Sequence, residues 1–196
     1  MIEQVTQMIF KHLQNFWQYY DSHPEVEIYN EFSLQHELGI YLRNNMPEYK
    51  VQFERNAKNF ITDKSVKTRK HEIDIVVFNE EKRYAIELKY PRHGQYPVRM
   101  FQFVKDIQFM EELKNNGFTR TFTIVIVDDA DGKNFYSGNF TNGIYKYFRL
   151  GGSNILHGQV DYPCKGKNID ALDIKGNYTI EWKILPRKLR GYILEI

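Results

Sequence analysis

The sequence predicts an α/β protein: a mixed β-sheet flanked by helices, with an extra helix ahead of the core and a β-rich extension behind it. Three observations point there. Apolar residues recur at helical spacing in three separate stretches. Between the second and third, Glu72 to Phe78 and Arg83 to Lys89 have strand character and are joined by the short turn Asn79-Glu80-Glu81-Lys82, which makes an antiparallel hairpin. Finally, Thr121 to Val127 is continuously apolar or β-branched, as in a strand covered on both faces.

Taken in order, Ile2, Val5, Ile9, Leu13, Phe16, Trp17 and Tyr20 lie on one helical face, and Asp21-Ser22-His23-Pro24 supplies the stop. A second helix is expected from near Asn30 to Pro47 on the stripe Leu34, Leu38, Tyr41 and Leu42. Glu37, three residues after Leu34 and four before Tyr41, is placed on that stripe. Tyr49 to Glu54 is the first strand and the hairpin gives the next two. Pro97 suits the first turn of a helix running to Asn115, ended by Gly117. Beyond Asp128 the expectation is short strands at Ile144 to Leu150, Tyr178 to Leu185 and Tyr192 to Ile196.

With 196 residues the chain has room for one domain with a sizeable core, read as 1–22 N-terminal helix, 30–128 core and 129–196 β-rich extension. The hydrophobic content of 42% offsets the entropy of ordering, which excludes a disordered chain. No apolar run reaches bilayer length and the first residues lack a secretory pattern, so the expected setting is cytoplasmic, with no membrane partner. Cys164 is the only cysteine and has no internal disulfide partner. No phosphate-cradling glycine loop or serine nucleophile elbow is present, and no organic cofactor is expected. The net charge of +2 is too small to announce a polyanionic partner, so the distribution matters more. Arg55 to His71 holds six Lys or Arg against one Asp, and Pro186 to Arg190 is a second basic cluster. Candidate phosphate contacts are Lys67, Arg69, Lys70, Arg92 and Arg99.

In the strand Arg83 to Lys89, alternation sends Ile86 and Leu88 to one face and Glu87 and Lys89 to the other. In the partner strand Ile73, Ile75 and Val77 face one way, leaving Asp74 on the opposite face with Val76 and Phe78. A carboxylate in so apolar a strand asks for a partner or a metal. Glu-x-Lys alone carries little, since it occurs at Glu48, Glu80, Glu87, Glu112 and Glu181. Only two of those lie in apolar strands, and Glu181-Trp182-Lys183, with Asp170 and Asp173 upstream, is the rival site.

An Asp on one hairpin strand, twelve intervening residues and then Glu87-Leu88-Lys89 resembles the PD-(D/E)xK nuclease superfamily. That family's core runs helix, three strands, helix, strand, the order read here over 30–128. The proline before the aspartate is missing. The resemblance implies a restriction endonuclease-like fold and a metal-dependent endonuclease or exonuclease, with DNA ahead of RNA. It further implies Mg2+ or Mn2+ held by Asp74, Glu87 and the Leu88 backbone carbonyl, with Lys89 orienting water and Glu37 binding the metal from the helix. Glu31 and Glu54 are alternatives to Glu37. Gln102, Lys105 and Asp106 lie near positions where some branches carry accessory polar residues. Such enzymes often act as dimers, and the aromatic N-terminal helix offers a pairing surface for a homodimer. The competing expectations are a non-catalytic nucleic-acid-binding or protein-assembly subunit that keeps the nuclease fold, and an α/β interaction domain in which Glu-x-Lys is coincidental.

Overall fold

The computed structural model describes residues 8–61, 63, 65–92, 94–152, 155–164 and 169–196. Ile2 and Val5 of the first predicted helix, and His93, lie outside the described residues. Helix α1 spans Met8–Ser22 and α2 spans Glu31–Asn45. The start of α2 is fixed by a reciprocal cap, in which Asn30 accepts from the Ser33 backbone N–H while the Ser33 hydroxyl accepts from the Asn30 N–H. Strands β1 (Lys50–Asn56), β2 (Glu72–Phe78) and β3 (Arg83–Lys89) follow, then α3 (Tyr96–Asn115) and β4 (Arg120–Asp128). The order helix, three strands, helix, strand is thus present. The remainder supplies the short helix α4 (Lys133–Tyr136), a 3-10 turn at Gly143–Tyr147, and strands β5 (Ile155–Val160), β6 (Leu172–Thr179), β7 (Lys183–Leu185) and β8 (Leu189–Glu195).

Six strands form one mixed sheet in the order β1-β2-β3-β4-β8-β7, and β5-β6 is a separate two-stranded sheet. Every pairing in the large sheet is antiparallel except β3 with β4, which needs the crossover that α3 provides. Each face has its own core. Ile75, Val77, Ile86, Leu88, Phe122, Ile124 and Ile126 pack with α1 and α2. Val76, Ala85, Val125 and Val127 pack with α3 and the β5-β6 sheet. The unbroken apolar run of β4 is explained by burial on both sides.

Several expectations are corrected. Ile144 to Leu150 is no strand. Ile144, Tyr147 and Phe148 are buried at a spacing of three to four, and the buried Arg149 donates to the carbonyls of Asn134 and Phe140, so the segment coils onto α3. Tyr178 to Leu185 is interrupted, because β6 ends at Thr179 and β7 begins at Lys183. Strand β5, Ile-Leu-His-Gly-Gln-Val, carries too little alternation to be read in advance, and Leu172 to Asn177 of β6, where Leu172 and Ile174 are buried, lie outside the expected strands. Among the described residues of α1 the aromatic face is turned inward, with Ile9, Leu13, Phe16, Trp17 and Tyr20 buried within the chain. Among the described residues no helix is long and apolar enough to cross a membrane.

The basic cluster near the C-terminus is also used internally. Arg187 donates to the carbonyls of Tyr20, His23 and Val26 at the end of α1 and lies over the Tyr20 ring, while Arg190 pairs with Asp129 at 2.7 Å. The rival Glu181 and Lys183 are both exposed, and Asp173 is paired with Lys175 instead.

Candidate active site

The β2-β3 hairpin is regular at its turn and opens at its far end. Pairing runs from Phe78↔Arg83 to Ile75↔Ile86 and stops there. Beyond that point the Asp74 side chain replaces the ladder, its Oδ2 accepting the Leu88 N–H at 2.7 Å. The Glu87 carboxylate reaches back toward the Asp74 N–H, at 3.4 Å. On the other side of Asp74, the pairs Phe53↔Ile75 and Arg55↔Ile73 flank Glu54, which takes a left-handed backbone (φ 48°) rare for a side-chain-bearing strand residue. The Asp74 carbonyl turns to Gln35 of α2, whose amide donates to it at 2.8 Å and to Glu54 at 2.5 Å. Simple alternation fails across this irregularity. Ile73 belongs to the core beneath α3, whereas Ile75 and Val77 belong to the core beneath α1 and α2.

Strand β3 stays paired with β4 through Lys89, so Glu87 and Lys89 are rigidly held from one side. Glu87 is 1% exposed and Asp106, from the middle of α3, is 4% exposed. The ammonium of Lys70, from the loop before β2, lies against Glu87 and 3.0 Å from Asp106. Lys89 bridges the sheet end, with its Nζ 2.6 Å from the Leu88 carbonyl, 3.2 Å from Glu31 of α2 and 3.5 Å from Asp106 of α3. Glu31 also accepts the Tyr90 N–H at 3.2 Å. A small cavity of about 70 Å³ beside Leu88 is lined by Glu31, Phe32, Gln35, Glu54 and Asp74.

Asp74, Glu87 and Lys89 are therefore brought together, and Glu37 is not. Its described partner is the neighbouring His36, at 3.1 Å, and Glu31 occupies the place on α2 expected of it. The reason lies in how α2 packs. Its buried arc includes Gln35 and Gly39 as well as Leu34, Leu38, Tyr41 and Leu42. Gly39 lies so close to β1 that a Cβ there would fall 2.2 Å from the Phe53 ring. This contact turns the buried side toward Glu31, and six residues further on Glu37 is rotated by roughly 240°.

Of the basic candidates, Lys67, Arg69, Arg92 and Arg99 are exposed, with Arg99 3.2 Å from Gln102. Lys70, read as a phosphate contact, turns inward instead. Asp106 and Gln35 are the site residues the sequence reading undervalued. A signal existed for each, because Asp106 lies three residues after Phe103 and four before Met110 on the apolar side of α3. Gln35 shares the face of Leu38 and Leu42.

Burial pushes the Asp74 carboxyl up to about 6, against the pull of Lys89, the Leu88 N–H and Lys70. Burial also raises Glu87 well above the ordinary carboxylate range, and the adjacent charges of Asp74 and Asp106 add to it. For Lys89 burial opposes the ammonium, but Asp106, Asp74, Glu31 and Glu87 more than offset it, so its proton is held more tightly than usual. Lys70 behaves likewise, with Asp106 and Glu87 outweighing burial.

These residues suit a hard divalent cation. Their donors are carboxylate and carbonyl oxygens. Asp74, Glu87, Asp106 and Glu31 surround two ammoniums, leaving a formal surplus of negative charge in a largely buried place. The Oδ2 of Asp106 is buried without a hydrogen-bond partner. Among the described residues no group of three or more His, Cys, Asp or Glu side chains forms a ready metal cage, and the two lysines stand where positive charge is needed. In comparisons with known proteins the chain matches no family model, no curated protein and no solved structure.

Proposed function

We propose that this protein is a metal-dependent nuclease of the PD-(D/E)xK type, with a restriction endonuclease-like core formed by α2, β1, β2, β3, α3 and β4. The observation that carries the reading is the opened hairpin end. Asp74, Glu87 and Lys89 meet there, with Asp74 fixed by the Leu88 N–H and the Leu88 carbonyl facing the Lys89 ammonium.

Asp74, Glu87 and the Leu88 carbonyl are the groups to hold Mg2+ or Mn2+, with Glu31 in the helix position. When bound, such an ion supplies positive charge to the phosphate and acidifies water. The chain's own contribution is positioning. Lys89, kept protonated by the acids around it, donates to the attacking water and orients it toward phosphorus. Asp74 and Glu87 are held against the sheet end, so the water and the phosphate can be aligned without the chain rearranging. The new bond joins the water oxygen to phosphorus as one water proton passes to solvent, the bond to the leaving oxygen breaks, and that oxygen takes up one proton from solvent. Lys67, Arg69, Arg92 and Arg99 are exposed cations available to the nucleic-acid backbone. DNA is preferred to RNA on the family resemblance.

One observation favours a second reading, a nucleic-acid-binding or assembly subunit that keeps the fold without catalysis. Lys70 sits on Glu87, and no ready metal cage exists among the described residues. The deciding assay incubates supercoiled, linear and single-stranded DNA, and RNA, with Mg2+ or Mn2+, comparing wild type with Lys89→Ala and Asp74→Ala. Cleavage by wild type alone supports the nuclease. Equal cleavage in all three removes the mechanism, and binding without cleavage by wild type selects the second reading.

A further inference from the structure

In the basic segment Lys67 is exposed, whereas Lys70 turns inward. Its ammonium lies between two almost inaccessible carboxylates, in contact with Glu87 and 3.0 Å from Asp106, and 5.6 Å above the Phe109 ring. The loop that delivers it is pinned on both sides. The Arg69 N–H donates to Glu112 of α3 at 2.7 Å, the Thr68 hydroxyl donates to the Lys70 carbonyl, and the Ala57 N–H donates to the His71 carbonyl at 2.7 Å. An exposed lysine tolerates motion, whereas this one is tethered at three neighbouring points.

A cation in that place has a chemical counterpart. Two-metal phosphodiesterases hold a second ion about 4 Å from the first, bridged by a shared carboxylate. Glu87 presents its two oxygens to different groups, Oε1 to the Asp74 backbone N–H and Oε2 to Lys70, as suits a carboxylate shared between two positions. Asp106 is the outer ligand of that second position, contributed by a helix that otherwise presents apolar residues to the sheet. Around this position the carboxyl groups (Asp74, Glu87, Asp106 and Glu31) outnumber the ammoniums (Lys70 and Lys89).

We infer that Lys70 is a built-in second cation of the centre, a positioning residue that holds Glu87 and Asp106 in place so that the site takes one divalent ion rather than two. This rests on the nuclease reading above. A lysine suits the role because its compact point charge needs no planar partner, and it keeps the site assembled in the absence of the second metal.

The test counts Mn2+ bound to the full chain by calorimetry and by electron paramagnetic resonance, independently of cleavage. Wild type should bind about one ion, Lys70→Met about two, and Lys70→Arg about one again. The double variant Lys70→Met/Asp106→Asn should return to about one, because the outer ligand is gone. If Lys70→Met does not fold without metal, it should fold when refolded in Mn2+ and retain about two ions after desalting. Lys70→Met that stays unfolded in Mn2+ overturns the inference. Two ions on wild type, or no gain in Lys70→Met, overturns the inference and leaves the nuclease reading standing. No ion on wild type removes the metal centre itself, and with it both readings.

Discussion

Helix α3 carries two buried acids, Asp106 and Glu111, whose surroundings are opposite in kind. Glu111 accepts the backbone N–H groups of Lys175 and Gly176 and the Tyr178 hydroxyl at 2.6–3.1 Å, tying β6 to the helix through neutral donors. Asp106 has an ammonium on each side and one oxygen with no hydrogen bond. A carboxylate whose lone pairs are met by fixed donors is finished and holds the fold together. One left partly unmet among other acids retains affinity for positive charge. The same residue class, on one helix, is met by fixed neutral donors at one position and by side-chain charges at the other. What decides is whether the opposing element brings backbone donors or side-chain charges.

The sharpest way to break this contrast is Lys89→Ala. It should lower cleavage by about 10²-fold, the scale of misplacing a reacting group, while circular dichroism stays unchanged. Unchanged cleavage would end the assignment. Glu111→Ala should do the reverse, costing ~3 kcal/mol in urea unfolding because several buried donors lose their acceptor, with Mn2+ binding intact. A loss of metal binding without loss of stability would erase the distinction between the two acids.

The next effect depends on pH. In the metal-free protein Asp74 titrates near 6 instead of its ordinary 3.8. A carboxyl raised in this way contributes stability that is full below the unfolded value and lost as pH rises through about 6. Asp74→Asn, which can still accept the Leu88 N–H, should therefore be more stable than wild type at pH 7, by ~2–3 kcal/mol. The gain should vanish toward pH 3. Chemical denaturation in chelator across that window tests it, and a gain that persists in acid would show that the carboxyl is not destabilised by burial. The smallest effect separates two glutamates of α2. Glu31→Gln should slow cleavage by about tenfold through its contact with Lys89, whereas Glu37→Gln should leave it within about twofold. The opposite ranking in steady-state rates would restore Glu37 to the site.

Some of this was open to reading from residue spacing. The hairpin was legible because strand period and turn are local properties, and the flanking helices because their apolar stripes are. The nearness of Glu87 and Lys89 needed only alternation along one strand. Glu37 shows where such reading stops. A stripe of Leu34, Leu38, Tyr41 and Leu42 leaves the helix free to rotate by tens of degrees, and the Gly39 contact with Phe53 fixed that rotation. Strand β5 was hidden because its apolar residues do not alternate, and the tie of β6 to α3 through Glu111 joins residues far apart in the chain.

The sequence by itself determined the order of elements from α1 to β4, the two-sided burial of β4 and the presence of an Asp and a Glu-x-Lys on adjacent strands, because each depends on residues a few positions apart. Tertiary structure alone decided which helix acid faces the site, that Asp106 joins it, that Lys70 turns inward, and that the hairpin opens at Asp74. Those outcomes rest on contacts between residues far apart in the chain. In such contacts burial and charge pairing, rather than local spacing, select one arrangement.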